Sequence, residues 1–458
     1  MQKSNELLLT KNNNLKFGIF ILILIFIGYF IDRVEVKYFN SYSFTTFFAS
    51  VSLLFGIVYL LFLSNQKWNF KKIITLAAIA RILLFFAAPN LSDDYYRFIW
   101  DGTLILNGYN PFLYLPTEVI EWENASELGF TQELYNGFNS QIYYSVYPPI
   151  NQVIYTLSAF VGNENTYVSA LVMRFFILVL DLGSIFFLHK LMQIKNIETK
   201  YLLWYALNPL IILELTLNLH FEGLMIFFLL GALYFIETKK FAYSGLFWGA
   251  AICSKLLPLM FLGFLVNQVK FKNALKIGLI AVATVLILFI PFMNTAVIGN
   301  IGDSLSKYFG YFEFNAGIPY LIRTIGYQFY DYSILFKALP ILKNIFVVYL
   351  VVFSLSNFFF KKPLALVNQI YWTALFYFLI AGIMHPWYIT FIIPFGILAK
   401  KKAILVWSWL VFLSYSAYES ADYHENYYLI GIEFTVVVGF VLYEFISKVL
   451  KRDTKGVL

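Results

Sequence analysis

Asp93, Asp94, Arg97 and Asp101 place three carboxylates and a guanidinium within nine residues of a chain that is otherwise almost continuously apolar. Ionisable groups are costly to keep at a membrane without a role. A carboxylate there can take the proton from a hydroxyl that is about to act as a nucleophile. Desolvation would raise its pKa toward the range a general base needs, and the nearby arginine would oppose that rise. The simpler alternative makes Asp93 or Asp94 a solvated helix cap and Arg97 their ion-pair partner one turn on. Asp101 would then begin a turn at Gly102.

The other ionisable groups that stand apart from the lysine clusters are His220, Glu222, Lys255, Arg323, His385, Glu419, Asp422 and His424. Cations among them could stabilise a departing phosphate. Lys255 has the strongest case, because a lone lysine amid apolar residues needs an anion or a route to water. His220 and Glu222 could instead cap a helix starting at 221, where a carboxylate is favoured. His385 beside Trp387 and Tyr388 fits an interfacial aromatic belt, and Tyr147-Pro148-Pro149 fits a rigid turn. Arg174 and Asp181, seven residues apart in one apolar run, read as a structural pair between helices. Glu419, Asp422 and His424 have the donors for a divalent cation, and a solvated loop accounts for them as simply. With four histidines and one cysteine, Cys253, the chain offers no internal disulfide and no Cys/His spacing for zinc.

The elements that must position these groups follow from composition. Apolar residues make up 60% of the 458, aromatics 21% and charged residues 13%, with a mean hydropathy of +0.72. A soluble chain carries roughly 25% charged residues. The expectation is an all-α polytopic membrane protein. The net charge of +7 is no nucleic-acid footprint, because the lysines sit in short clusters between apolar runs. Fourteen such runs, from 16–31 to 428–447, predict about 11 to 14 transmembrane helices. Several fall short of the ~20 residues that a perpendicular span needs.

With the N-terminus in the cytoplasm, every lysine cluster from Lys67/Lys71/Lys72 to Lys448/Lys451/Arg452/Lys455 falls on the cytoplasmic side. Both termini are then inside, and Asp93 and Asp94 outside. Lys3, Lys11 and Lys16 precede apolar residues 17–31 without a small-residue cleavage site, which reads as an uncleaved first span. The whole chain, 1–458, is expected to form one integral membrane domain with two extracytoplasmic segments, 89–162 and 293–340. In the first, residues 89–148 carry eight carboxylates against Arg97 alone, and 149–162 are expected to lie along the interface. Residues 242–267 have lysines at both ends, so the chain must leave on the side it entered. A hairpin of two short helices with Lys255 at its tip meets that need, and Pro258 suits the first turn of its second helix. A single long tilted helix is the competing reading.

The run Asp93–Gly102, followed by Gly108-Tyr109-Asn110-Pro111, resembles the first outer loop of GT-C glycosyltransferases, and more narrowly that of bacterial polyprenyl-phosphate-mannose-dependent mannosyltransferases. Tyr147-Pro148-Pro149 with Gln152, Asn208-Pro209 with Glu214 and His220-Phe221-Glu222-Gly223, Lys255 with Pro258, and His385-Pro386-Trp387-Tyr388 are similar to further motifs in the order of that family. The resemblance covers residues 92 to about 390. It implies a GT-C-like bundle with a folded first extracytoplasmic loop. It implies inverting transfer of a hexose, mannose first, from a polyprenyl-phosphate donor to a glycan or lipid acceptor at the outer face of a bacterial inner membrane. The partners would be donor, acceptor and membrane lipids, with no nucleic acid.

On that reading Asp93 or Asp94 is the base or acceptor-orienting group. Arg97, Asp101, Tyr147, His220, Glu222, Lys255, Arg323 and His385 are assigned to substrate binding. Two departures stand out: Glu222 where many relatives would have Asp, and the segment from Glu419 to Tyr428, which matches no family segment. A flippase or transporter of lipid-linked glycans is the alternative, and it predicts internal repeats and polar residues near the midplane. The chain shows no repeat, and only Arg174 and Asp181 sit deep in an apolar run.

Overall fold

The computed structural model describes residues 2–356, 364–419 and 423–453. These are mostly helical, with one isolated parallel bridge between Phe314 and Ile383. Among the described residues six helices are long and apolar enough to cross a bilayer: Asn12–Arg33, Ser41–Phe62, Thr166–Ile194, Phe271–Phe292, Leu335–Ser354 and Tyr427–Ser447. Ile211–Leu217 and Glu222–Glu237 make a seventh if they count as one span, although they meet at 113°. Five shorter apolar helices, among them Phe241–Ile252, Leu257–Asn267 and Pro386–Leu398, fill the bundle. The chain is an all-α multi-pass membrane protein.

Where hydropathy predicts 11 to 14 spans, several apolar runs fold into pieces too short to cross alone. The run at 73–88 ends as a helix at Ile82. The run at 201–218 becomes two short turns of helix, a break at Asn208-Pro209 and then the π-turn Ile211–Leu217. A proline has no backbone N–H to donate and so interrupts such a run. Some of the helices start where asparagine supplies a cap. Asn40, Asn69 and Asn165 each accept the N–H three residues on, opening Ser41–Phe62, Phe70–Ile82 and Thr166–Ile194.

Buried charges tie these helices together, with partners that differ from the expected ones. Asp181 does not face Arg174. It receives Arg81 Nε at 2.5 Å and Tyr205 OH at 2.8 Å, while Arg81 also donates to the Ala206 carbonyl at 2.7 Å. Arg174 instead donates to the carbonyls of Thr216 (2.7 Å), Leu217 (2.8 Å) and Phe85. The first two oxygens lie at the end of the π-turn and the third just past the helix Phe70–Ile82, where helical partners run out.

The 242–267 segment is broken, not one long helix. Phe241–Ile252 is followed by a turn and then by the tighter helix Leu257–Asn267, and Trp248 Nε1 donates to the Pro258 carbonyl at 3.0 Å. The next helix, Phe271–Phe289, runs parallel to Phe241–Ile252. A Cβ on Gly245 would meet the carbonyl of Ile277 at 2.8 Å, and one on Gly249 the carbonyl of Ala281 at 2.7 Å, so both helices advance four residues together. Parallel neighbours require residues 257–267 to return the chain, as a hairpin does, and Lys255 lies at its turn.

The Arg81–Asp181 pair is fully buried, so removing one partner leaves an uncompensated charge. Arg81→Met should cost about 3–5 kcal/mol. Adding Asp181→Leu should recover part of that loss. Thermal unfolding of the detergent-solubilised single and double variants checks both expectations.

Candidate active site

The helix Asp94–Leu106 presents two different faces. On the inner one, Arg97 Nε donates to Asp101 Oδ1 at 2.9 Å, and Arg97 Nη1 donates to the carbonyls of Ser140 (2.8 Å) and Tyr143 (2.9 Å). The other Asp101 oxygen accepts from Ser145 Oγ and from Gln152 Nε2 at 3.3 Å. Arg97 therefore pairs with Asp101 one turn ahead, which faces the buried 140–152 segment with it, and not with Asp93 or Asp94 at the open start of the helix. Asp101 starts no turn, since the helix continues to Leu106. Both side chains are buried and hold the 140–152 segment. Gly102 lets Pro149–Gly162 lie against this helix, for any Cβ would meet the Tyr155 carbonyl at 2.3 Å.

The start of the same helix is left open. Asp93 occupies the N-cap position, yet its side chain makes no cap bond. Asp94 opens the first turn with its side chain one-third exposed, and a carboxylate is favoured there by the helix dipole. Its Oδ2 lies 3.8 Å from Nε2 of His220, which is 2% exposed. His220 stands in the bend between Ile211–Leu217 and Glu222–Glu237, after Leu219 in a left-handed conformation (φ 62°). Leu91 N donates to Asn218 Oδ1 at 3.3 Å, which joins the bend to the residues before Asp93.

Glu222 begins the helix after the bend and forms an ion pair with Lys255, whose ammonium also lies 4.3 Å from the centroid of the Tyr388 ring. The Lys255 turn is bound to the first loop by two bonds, Ile150 N to the Cys253 carbonyl (3.1 Å) and Asn151 Nδ2 to the Ser254 carbonyl (2.9 Å). Tyr147 is half-buried with its ring edge-on to Phe98 (5.0 Å) and Tyr155 (5.7 Å). Pro149, the last residue of Tyr147-Pro148-Pro149, is the first residue of its helix.

An aromatic wall closes the site. Trp387 stacks on His220 at 3.8 Å and on His385 at 4.2 Å. His385 Nε2 bonds Tyr308 OH at 3.0 Å. The His385 turn is held by Met384 N to the Phe314 carbonyl (2.8 Å) and Phe314 N to the Gly382 carbonyl (3.1 Å). Arg323 does not join this group. It pairs with Glu313 at 2.6 Å and lies against the rings of Tyr320 and Tyr427. Beside that pair, Glu425 accepts from Asn315 N (2.5 Å) and Tyr320 OH, and buried Glu433 accepts from Trp407 Nε1 at 2.7 Å. Sequence reasoning missed Tyr308, Glu425 and Glu433, whose partners lie elsewhere in the chain.

The family model described as Alpha-(1->6)-mannopyranosyltransferase, N-terminal domain, matches residues 32–270. The chain belongs to this mannosyltransferase family. A comparison with curated proteins returns no match. The matched region of the mannosyltransferase contains Asp93, Asp94, His220, Glu222 and Lys255, whereas Tyr308, His385 and Trp387 lie beyond it.

The two open aspartates differ in environment. Burial pushes the Asp93 carboxyl up to about 7, with the Asp94 charge adding to the rise and Lys37 opposing it. Burial also raises Asp94, but the charges of His220 and Lys255 pull it back down while Glu222 pushes it up. No group of three His, Cys, Asp or Glu among the described residues is arranged to hold a metal ion. Glu419 accepts from Ser41 Oγ at 2.9 Å, and Asp422 lies outside the described residues.

A raised Asp93 pKa means the folded state holds this proton more tightly than the unfolded chain. Its contribution to stability is present below pH ~4, the ordinary aspartate value, and is lost as pH rises through about 7. Asp93→Asn should therefore match the wild type near pH 4 and melt higher than it at pH 8. Melting curves at the two pH values test this.

Proposed function

We propose that this mannosyltransferase is a GT-C enzyme that takes mannose from a polyprenyl-phosphate donor and transfers it with inversion to a glycan or lipid acceptor. The observation that carries the reading is the meeting of an accessible carboxylate, Asp94, with the partly exposed ammonium of Lys255 at one end of an apolar bundle. Asp94 takes the proton from the acceptor hydroxyl as that oxygen attacks the anomeric carbon. The bond from that carbon to the phosphate oxygen breaks on the opposite face, and the electron pair leaves with the phosphate. A single displacement of this kind inverts the anomeric centre.

Lys255 offsets the charge that grows on the departing phosphate. Its neighbours Leu256 and Leu259 are exposed apolar side chains, a surface along which a prenyl chain can lie. Glu222 fixes the ammonium, and Asp93, protonated over part of the neutral range, can donate a hydrogen bond to a second acceptor hydroxyl. The lysine clusters support an orientation with both termini in the cytoplasm and the site on the outer face of a bacterial inner membrane. The name of the family makes an alpha-(1->6) linkage the first to test.

The test uses purified protein, radiolabelled polyprenyl-phosphate-mannose and a mannoside acceptor. Asp94→Asn should lower kcat by about 10²–10⁴-fold. Lys255→Met should also slow transfer, and the new linkage should carry the anomeric configuration opposite to the donor's. Full activity in Asp94→Asn, or transfer from a nucleotide sugar alone, would overturn the reading.

A further inference from the structure

We propose that His220 and Glu214 form a proton relay behind Asp94, with His220 as the final proton acceptor and Glu214 as the residue that positions and charges it. The proposal rests on the mannosyl-transfer reading. Glu214 lies on the π-turn Ile211–Leu217 and is fully buried. Its carboxylate accepts from Tyr415 OH at 2.8 Å and Asn218 Nδ2 at 3.2 Å, and Oε2 lies 3.3 Å from His220 Nδ1. The Glu214 backbone carbonyl is also 3.0 Å from Nδ1.

Nδ1 thus faces two acceptors, both from Glu214. That sets the tautomer: Nδ1 carries the hydrogen, and the neutral ring turns the Nε2 lone pair the other way. Nε2 is buried, has no hydrogen-bond partner among the described residues, and points toward Asp94 Oδ2, 3.8 Å away. Stacking on Trp387 at 3.8 Å holds the ring plane. Carboxylate, imidazole and carboxylate lie in series, with only the Asp94 end open to a substrate. Catalytic hydrogen bonds that are long without substrate commonly tighten in the reacting complex.

The proton of the acceptor hydroxyl moves to Asp94 as the new carbon–oxygen bond forms and the bond to phosphate breaks. It then passes from Asp94 Oδ2 to His220 Nε2, which regenerates the Asp94 carboxylate. The imidazolium so formed is balanced by Glu214 and, after product leaves, returns its proton through the open Asp94 carboxylate to water. The charged and titratable groups around His220 are Asp94 on the Asp94–Leu106 helix, Glu214 on the π-turn, Glu222 on the following helix and His385 on its own turn, with Lys255 beyond them paired to Glu222. All but one are unchanged when Glu214 alone is replaced, so the shift in that variant reports Glu214.

The experiment compares wild type, Glu214→Gln and Glu214→Asp in two ways. One is the pH dependence of kcat for mannosyl transfer. The other is the titration of the His220 ring by NMR on histidine-labelled protein without substrate, feasible because the chain has four histidines. Glu214→Gln should move both midpoints at least about one pH unit lower and reduce kcat about 10-fold or more. Glu214→Asp should keep the wild-type midpoints. Should the glutamine variant fail to fold, Tyr415→Phe frees the carboxylate of one hydrogen bond and should move the His220 midpoint upward. Midpoints that stay at the wild-type value, even with slower transfer, would reduce Glu214 to a structural role and overturn the relay. The NMR arm reads the Glu214–His220 coupling without turnover. Absence of mannosyl transfer in the wild type would therefore overturn the functional reading separately.

Discussion

The bend at residues 218–221 depends on one guanidinium. A helix that stops inside a bilayer leaves carbonyls that neither lipid nor water can satisfy, and each orphan costs several kcal/mol. Arg174 meets that demand at the bend by donating to Thr216 and Leu217, while it also holds the Phe85 carbonyl past the end of Phe70–Ile82. With those oxygens satisfied, the chain can turn by 113° between Ile211–Leu217 and Glu222–Glu237. The turn sets Glu214, Asn218, His220 and Glu222 within one compact bend instead of spreading them over more than two turns of a straight helix. The acid–base groups and the anchor of Lys255 therefore share one mechanical origin.

The ionised groups of the bundle fall into closed and open sets. Arg81–Asp181 and Arg97–Asp101 are buried, and every oxygen of their carboxylates is occupied. Such pairs contribute little net stability over an apolar replacement, but they fix which helices meet. Asp94 and Lys255 are different: each is held near one partner and keeps about a third of its side chain exposed. Free capacity for a hydrogen bond or a counter-charge exists at these two, and the closed pairs supply the rigidity that leaves it aimed.

Much of this arrangement was legible in the sequence as residue types in the wrong solvent. Asp94, His220, Glu222, Lys255 and His385 stand out as ionisable groups apart from the lysine clusters, and the structure brings them together. The identity of partners was not legible. Arg97 chose Asp101 over Asp93, although both are four residues away, because Asp101 lies on the buried face that packs on residues 140–152 and Asp93 does not. Arg174 chose carbonyls over Asp181 because a π-turn, invisible to hydropathy, ends beside it. Arg323 went to Glu313, which shares its part of the fold. Tyr308 meets His385 across 77 residues, a pairing that no local pattern encodes. The short broken helices defeated span counting for a related reason: hydropathy measures the solvent of a segment and says nothing of whether its backbone stays helical.

The site is composite along the chain. The family match ends at residue 270, after the carboxylates, His220 and Lys255, while the wall of Tyr308, His385 and Trp387 comes from beyond it. That wall is tied back into the bundle through the Phe314–Ile383 bridge and through Asn315, which donates to Glu433 on the last long helix. Trp387 then lies against His220, so the C-terminal half fixes the ring plane of a residue that the N-terminal half supplies. Acid–base chemistry needs that plane set to within a hydrogen bond's tolerance. Neither half builds the arrangement alone, and the aromatic stack, with the Tyr415–Glu214 bond behind it, joins the two halves at the reacting groups.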